Sequence, residues 1–109
     1  MAVVKSGVVI GVKPGMLDEY IALHKNQPPE IRALMKAHGF KKCEIFVHTL
    51  PNGETLLFQY NEVEGDTSAL YENEAYRQWL RITGNCQKPC VGQEFWLEME
   101  NVYRLSEDR

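Results

Sequence analysis

The sequence is poor in the residues that build metal sites and disulfide frameworks. Its 109 residues include three cysteines and three histidines. The histidines are scattered, without the HxH or HxxxH spacing of a metal site. An odd number of cysteines does not suggest a disulfide framework, and Cys86 and Cys90 lack the second Cys or His pair that a zinc site needs. We therefore expect no metal ion, and free thiols in a reduced compartment.

Long apolar runs and an excess of positive charge are also absent. No segment approaches the roughly 18 apolar residues needed to cross a membrane, and the N-terminus lacks the apolar run of a signal peptide. The net charge of −3 argues against nucleic acid as the main partner. Phosphate-binding glycine loops and serine nucleophile elbows are missing too. We therefore expect neither a membrane nor a nucleic-acid partner. We also expect the protein to be cytoplasmic, because the sequence shows no targeting signal for another compartment.

The composition is typical of one globular domain, which we assign to residues 1–109. Hydrophobic residues make up 44% of the chain and charged residues 25%, as in soluble proteins. Apolar periodicity predicts strands and helices in alternation. The predicted strands cover residues 2–12, 40–49, 54–63 and 95–105. The predicted helices begin at Leu17, after Pro28-Pro29 and after Gly65-Asp66-Thr67, and a loop runs from Gly84-Asn85 to Gln93.

The order of these elements indicates the fold class. Strand, helix pair, strand, strand, helix, strand is the split βαβ, or ferredoxin-like, arrangement of an α+β protein. An Asn-Gly pair at Asn52-Gly53 favours a tight hairpin between the second and third strands, and Gly39 is a candidate helix C-terminal cap. The antiparallel sheet would carry helices on one face and need cover on the other. We expect a homodimer to supply that cover, as in a dimeric α/β barrel.

Tyr20 and His24 form the most informative pair of side chains. Four residues separate them, so they lie on the same face of a helix. Leu17 and Ile21 make that face otherwise apolar, which predicts that it points inward. A buried polar group needs a partner, and an imidazole suits general acid–base catalysis. The structural alternative is that Tyr20 packs with its hydroxyl outward while His24 ends the helix.

Two tryptophans are candidates for holding a ligand. Trp79 lies on a predicted helix face with Tyr76 and Leu80, and an indole can stack on the apolar C–H face of a sugar. Core packing is the structural alternative for Trp79. Trp96 begins the last strand and suits core or dimer contact as well as a ligand. The remaining histidines, His38 at a helix end and His48 near a hairpin, have structural explanations.

The ordered set of these residues resembles the L-rhamnose mutarotase family over most of the chain. The resemblance runs through Glu19-Tyr20 to His24, Pro29-Glu30, Lys36-Ala37-His38-Gly39, Glu44-Ile45-Phe46, Leu56-Leu57-Phe58 and Arg77-Gln78-Trp79. It implies a dimeric ferredoxin-like isomerase that interconverts the α and β anomers of a deoxy sugar such as L-rhamnose or L-fucose. Ring opening and closing by acid–base catalysis would require no metal and no organic cofactor.

The resemblance also implies roles for single residues. His24 corresponds to a proton donor, Tyr20 to a sugar contact, and Trp79 to part of the sugar pocket. Two substrate-binding positions depart from the family pattern: Cys43 stands where a tyrosine is expected, and Leu80 stands where a second tryptophan is expected.

Two other functions fit the same fold. A non-catalytic dimer that binds a small ligand is favoured by the substitutions at Cys43 and Leu80. A cofactor-free monooxygenase, or a haem-degrading enzyme, would rest on fold analogy alone, because folds host many unrelated activities.

Overall fold

A computed structural model of the chain describes residues 3–105, which form one antiparallel sheet with helices packed on it. The helices within these residues have five to eleven residues, and none is long and apolar enough to cross a membrane. The elements in chain order are β1 (Val3–Val12), α1 (Leu17–Lys25), α2 (Pro29–Ala37), β2 (Phe40–Thr49), β3 (Thr55–Glu64), α3 (Ser68–Glu72), α4 (Glu74–Gly84), β4 (Gln87–Lys88) and β5 (Leu97–Met99).

The sheet has the strand order β2-β3-β1-β4, and β5 also pairs with β1. All of these pairings are antiparallel. Because side chains alternate along a strand, Leu57 faces the helices while its neighbours Leu56 and Phe58 face the other side. The predicted ferredoxin-like α+β fold is therefore confirmed.

The two ends of α2 follow the predicted turn chemistry. Pro29 occupies the first helical position, where a missing N–H costs nothing. Gly39 follows the helix with φ +104°, as predicted for a C-terminal glycine. A Cβ atom at Gly39 would collide with the carbonyl oxygen of Glu64, whose N–H donates to the Gly39 carbonyl at 2.8 Å. This glycine lets α2 turn into β2 directly against the end of β3.

The structure corrects the sequence prediction at the C-terminal strand. Residues 95–105 are predicted as one strand, yet only Leu97–Met99 pairs, with Gly7–Val9 of β1. The predicted loop before it contains the short strand β4, which occupies the neighbouring part of the same β1 edge. Residues 100–105 lack a strand partner within the described part of the chain, so their alternating pattern forms no ladder there.

Two smaller differences concern loops. The segment after Gly65 forms two helices, α3 and α4, where one was predicted. Asn73 separates them, because its side chain caps the start of α4 by accepting the N–H of Tyr76. The hairpin between β2 and β3 is longer than a two-residue turn: the Leu50 N–H donates to the Glu54 carbonyl across three residues. Gly53 takes φ +90° within it.

The core between helices and sheet divides into two clusters. The first joins the sheet to α1 and comprises Ile10, Val12, Tyr20, Leu57 and Cys86. The second joins α2, α3 and α4 and comprises Ile31, Leu70, Tyr76 and Trp79. Leu23 of α1 packs against both. The turn of α1 that carries Tyr20 and His24 therefore lies where the two clusters meet.

Candidate active site

A cavity of about 1010 Å³ opens between the helices and the sheet. All five residues predicted to form the site line it: Tyr20, His24, Cys43, Trp79 and Leu80. A second cavity of about 690 Å³ lies between the β1–α1 loop and the β2–β3 hairpin and contains none of them. The larger cavity is therefore the candidate active site.

His24 stands between two buried aromatic rings. Its ring centroid lies 4.5 Å from that of Tyr20 and 5.2 Å from that of Trp79, and it meets the indole nearly edge-on at 71°. Tyr20 belongs to the first core cluster and Trp79 to the second. The spacing within α1 explains the first contact, whereas the second depends on how α4 packs.

A backbone hydrogen bond determines which nitrogen of His24 is available. Nδ1 lies 3.0 Å from the carbonyl oxygen of Tyr20, one turn earlier in α1. A carbonyl oxygen can only accept, so Nδ1 carries the hydrogen and donates it. In the neutral ring Nε2 is then the unprotonated nitrogen. His24 can take up a proton at Nε2 and release it again without changing its hydrogen bond to the helix.

Tyr20 is a buried phenol that stays protonated. Its side chain is 4% exposed, and burial raises its pKa to about 12, although a hydrogen bond with the Gln87 side chain lowers it. A phenol with this pKa donates a hydrogen bond at neutral pH and is a poor base. The alternative of a Tyr20 hydroxyl pointing into solvent is wrong, because the residue belongs to the core.

The raised pKa of Tyr20 predicts how alkali destabilises the fold. Below pH 10 the phenol of Tyr20 is protonated in both the folded and the unfolded chain, so its ionisation does not lower the free energy of unfolding. Between pH 10 and 12 only the unfolded chain ionises, and about 2–3 kcal/mol of unfolding free energy is lost. Denaturant titrations from pH 9 to 12 will show a shallower loss for Tyr20→Phe than for the wild type. Identical pH slopes for Tyr20→Phe and the wild type would contradict this prediction.

The three predicted substrate-binding residues differ in exposure. Trp79 is 7% exposed, and Leu80, the next residue of α4, is 39% exposed. Cys43 is an exposed residue of β2 that lines the cavity. Trp79 is thus both a core residue and a cavity wall, so its structural and functional interpretations are compatible.

Several polar cavity residues were missed by the sequence predictions. Gln59 and Asn61 lie on the helix-facing side of β3 and line the cavity, with the Gln59 amide donating to the Asn61 side-chain oxygen at 2.9 Å. Gln87 of β4 contributes a third amide. A signal for the first two is present in the sequence: a strand in the middle of the chain alternates Leu57, Gln59 and Asn61 on one side. Two amides on an inward strand face indicate a polar ligand site.

The other histidines and cysteines do not join the site chemistry. His38 is the C-terminal cap of α2 and His48 is exposed on β2; neither lines the cavity. Cys86 is buried and Cys90 partly buried, and both are free thiols. Burial raises the pKa of Cys86, and Glu19, 3.8 Å from its sulfur, adds to that shift. Within residues 3–105 no group of His, Cys, Asp or Glu side chains is arranged to hold a metal ion.

Solved structures share this fold. The crystal structure of an L-rhamnose mutarotase from Formosa agariphila superposes with a TM-score of 0.75 at 20% identity, covering 94% of this chain and 99% of that one. A structure from Bordetella bronchiseptica that carries the name antibiotic biosynthesis monooxygenase gives a TM-score of 0.61 at 15% identity, covering 94% of this chain and all of that one. At these identities the likeness establishes the fold alone.

Sequence comparison gives the family. The L-rhamnose mutarotase of Enterococcus faecalis (strain ATCC 700802 / V583) is 29% identical over 105 residues, covering 96% of this chain and 85% of that protein. A family model described as L-rhamnose mutarotase matches residues 5–105. Because that match spans nearly the whole chain, the protein belongs to the L-rhamnose mutarotase family, and its enzyme class is that of a sugar mutarotase, an isomerase.

Proposed function

We propose that this protein interconverts the α and β anomers of a deoxy sugar such as L-rhamnose or L-fucose in the larger cavity, with His24 as the acid–base group. The observation that carries the proposal is the engagement of Nδ1 of His24 by the Tyr20 carbonyl. That bond fixes the ring and leaves Nε2 for the substrate. No other histidine, and no aspartate or glutamate, is among the described residues that line the cavity.

The chemistry needs two proton transfers. Opening the ring requires a proton on the ring oxygen and loss of a proton from the anomeric hydroxyl, and closing reverses both. In its imidazolium form, His24 delivers the Nε2 proton to the ring oxygen, while the anomeric hydroxyl gives its proton to a water molecule. The open-chain aldehyde then turns about its C1–C2 bond. On closing, the attacking hydroxyl returns its proton to Nε2, and the water molecule returns the other proton to the carbonyl oxygen. General acid–base catalysis of this kind typically contributes about 10²- to 10⁴-fold.

The neighbouring side chains position the sugar. Tyr20 donates its hydroxyl hydrogen near the anomeric region, which agrees with a pKa of about 12 better than a role as a base does. Trp79 offers an indole surface to the sugar ring, and the Gln59 and Asn61 amides offer donors and acceptors to its hydroxyls. Leu80 and Cys43 complete the wall and would set which sugar fits.

Anomer exchange measured on the wild-type protein tests this function. Saturation of the α-anomer proton signal in L-rhamnose or L-fucose by NMR should lower the β signal faster with the protein than in buffer. Binding of the sugar without faster exchange would instead establish a non-catalytic ligand-binding protein. The monooxygenase alternative rests on structural neighbours that establish the fold alone, and oxygen uptake in place of exchange would favour it.

We also propose that the protein works as a homodimer. Phe46 of β2 is 58% exposed, and Val102, Tyr103 and Leu105 of the unpaired C-terminal segment are 74–87% exposed. An uncovered sheet face and an apolar extended segment both favour burial against a second copy. Light scattering on the eluted protein should give twice the mass of one chain, and a mass of one chain would contradict the proposal.

A further inference from the structure

Two amide side chains occupy the sheet side of the larger cavity. Gln59 and Asn61 are alternate residues of β3, so they face the helices together with Leu57. Leu57 is buried in the core, whereas Gln59 and Asn61 are partly buried. Asparagine is depleted in strands, and a helix-facing strand position normally carries an apolar side chain. Packing alone therefore does not explain this pair.

The residues opposite the amides on β2 leave them accessible to a ligand. Ile45 lies opposite Gln59, and Cys43 lies opposite Asn61. Both of these residues also line the cavity. Isoleucine has no hydrogen-bonding group in its side chain, and a thiol is only a weak donor and acceptor. β2 thus offers the two amides no strong partner, and a ligand in the cavity can be that partner.

A hydrogen bond between the amides determines which of their groups are available. Nε2 of Gln59 donates to Oδ1 of Asn61 at 2.9 Å, and neither side chain forms another hydrogen bond within residues 3–105. Each amide has two N–H donors and one oxygen with two lone pairs. The oxygen of Gln59 and the NH₂ group of Asn61 are therefore available. If both amides turned over, the bond would reverse and would still leave one oxygen and one NH₂ group.

An available oxygen beside an available NH₂ group is complementary to two neighbouring hydroxyl groups of a sugar. One hydroxyl donates to the amide oxygen, and the next accepts from the NH₂ group. The bond between the amides orders both side chains before the sugar arrives, so less conformational entropy is lost on binding. The pair can therefore select for two adjacent hydroxyl groups, which a single amide cannot do.

The position of His24 determines which hydroxyl groups reach the amides. His24 belongs to α1 in the helix layer, the amides belong to the sheet, and the cavity lies between the two layers. In the proposed reaction the imidazole approaches the ring oxygen beside C1. The bond opposite O5–C1 in a six-membered sugar ring is C3–C4. A ring held at its O5–C1 edge by His24 therefore presents its C3–C4 edge to the other layer.

We propose that Gln59 and Asn61 together bind the 3- and 4-hydroxyl groups of the sugar and thereby determine which sugars are substrates. This inference rests on the proposed function and deepens it, because it requires a sugar with two adjacent hydroxyl groups at the C3–C4 edge. A sugar that lacks either hydroxyl leaves one amide group unpaired in the complex, which is costly. The 2-hydroxyl lies outside this contact.

Deoxy derivatives of one parent sugar test this specificity. The parent is L-rhamnose or L-fucose, whichever binds the wild-type protein more tightly. It is compared with its 2-deoxy, 3-deoxy and 4-deoxy derivatives by kcat/KM for the protein-dependent part of anomer exchange, and by the Kd from NMR titration of the protein. We expect the 3-deoxy and 4-deoxy derivatives to be poorer by about tenfold or more in both quantities.

Amide-removing variants assign these penalties to the pair. In the double variant Gln59→Met with Asn61→Leu, the 3-deoxy and 4-deoxy derivatives should come within about twofold of the parent sugar, while the ratio for the 2-deoxy derivative stays unchanged. If the double variant does not fold, Asn61→Leu alone should reduce the two penalties by about threefold or more. Gln78→Met, at an exposed position of α4 outside the cavity, is the matched control and should change no ratio by more than about twofold.

The outcomes distinguish failure of this inference from failure of the proposed function. Accelerated exchange of the parent with no penalty for the 3-deoxy or 4-deoxy derivative would overturn the inference alone. Penalties that persist in the folded variants would assign the contacts to other residues and would also overturn it. Binding that shows the penalties without accelerated exchange would overturn the proposed function and support the inference. Neither exchange nor binding of either parent sugar would overturn both.

Discussion

His24→Gln is expected to lower the rate of anomer exchange by about 10²- to 10⁴-fold, to a level close to the buffer reaction. Glutamine is similar in length and can still donate to the Tyr20 carbonyl, so α1 should keep its shape. It cannot take up and release a proton near neutral pH, however, and the cavity offers no other histidine and no carboxylate within the described residues. The loss should appear in kcat, since the substitution removes proton transfer rather than sugar contact.

His48→Gln is the matched control for this variant. His48 is exposed on β2 and does not line the cavity, so the same chemical change there should leave the exchange rate within about twofold. Exchange is measured by magnetisation transfer between anomeric protons, with circular dichroism and thermal unfolding to establish that both variants are folded. Full activity of a folded His24→Gln protein would remove His24 from the catalytic role.

Gly39→Ala should be the most destabilising of the single glycine substitutions. The backbone there has φ +104°, and the new Cβ would also collide with the carbonyl oxygen of Glu64. Relief would require separating α2 from the end of β3, where Glu64 donates to Gly39. Together the unfavourable φ and the collision should cost about 3–4 kcal/mol of unfolding free energy.

Gly53→Ala separates the two contributions. Gly53 has a similarly positive φ of +90°, but a Cβ there meets no atom within 4 Å. Only the backbone conformation is penalised, so we expect a loss of about 1–2 kcal/mol. Urea unfolding of both variants measures the difference. Equal losses at Gly39 and Gly53 would mean that the loop joining α2 to β2 yields to the extra methyl group.

Local periodicity was enough to predict that Tyr20 and His24 lie side by side. The four-residue spacing places Tyr20 and His24 on one helix face whatever the rest of the chain does. Trp79 was identified by its amphipathic helix, and burial on the inner face of α4 follows from that pattern. The five predicted site residues line one cavity because the ferredoxin-like order brings α1, α4 and β2 together.

The parts that could not be predicted depend on distant pairing. Alternation over residues 95–105 indicates a strand, but a strand forms only where an edge is free. Gln87 and Lys88 of β4 take the Gly11–Val12 end of β1, which in the register of β5 would lie opposite Phe95, so β5 begins later than predicted. Residues 100–105 leave the sheet although β4 does not reach the Val3–Ser6 end of β1, and their local alternation contains nothing that predicts this. The contact of His24 with Trp79 likewise depends on helix packing that no local pattern contains.

The bond between Nδ1 of His24 and the Tyr20 carbonyl makes the orientation of the imidazole depend on a single helical turn. The acceptor exists in the right place only while residues 20–24 remain helical, and α1 ends one residue later, at Lys25. Fraying of that end would release the imidazole to rotate while the sheet and both core clusters remained intact. Loss of the proposed proton transfer can therefore precede loss of the fold.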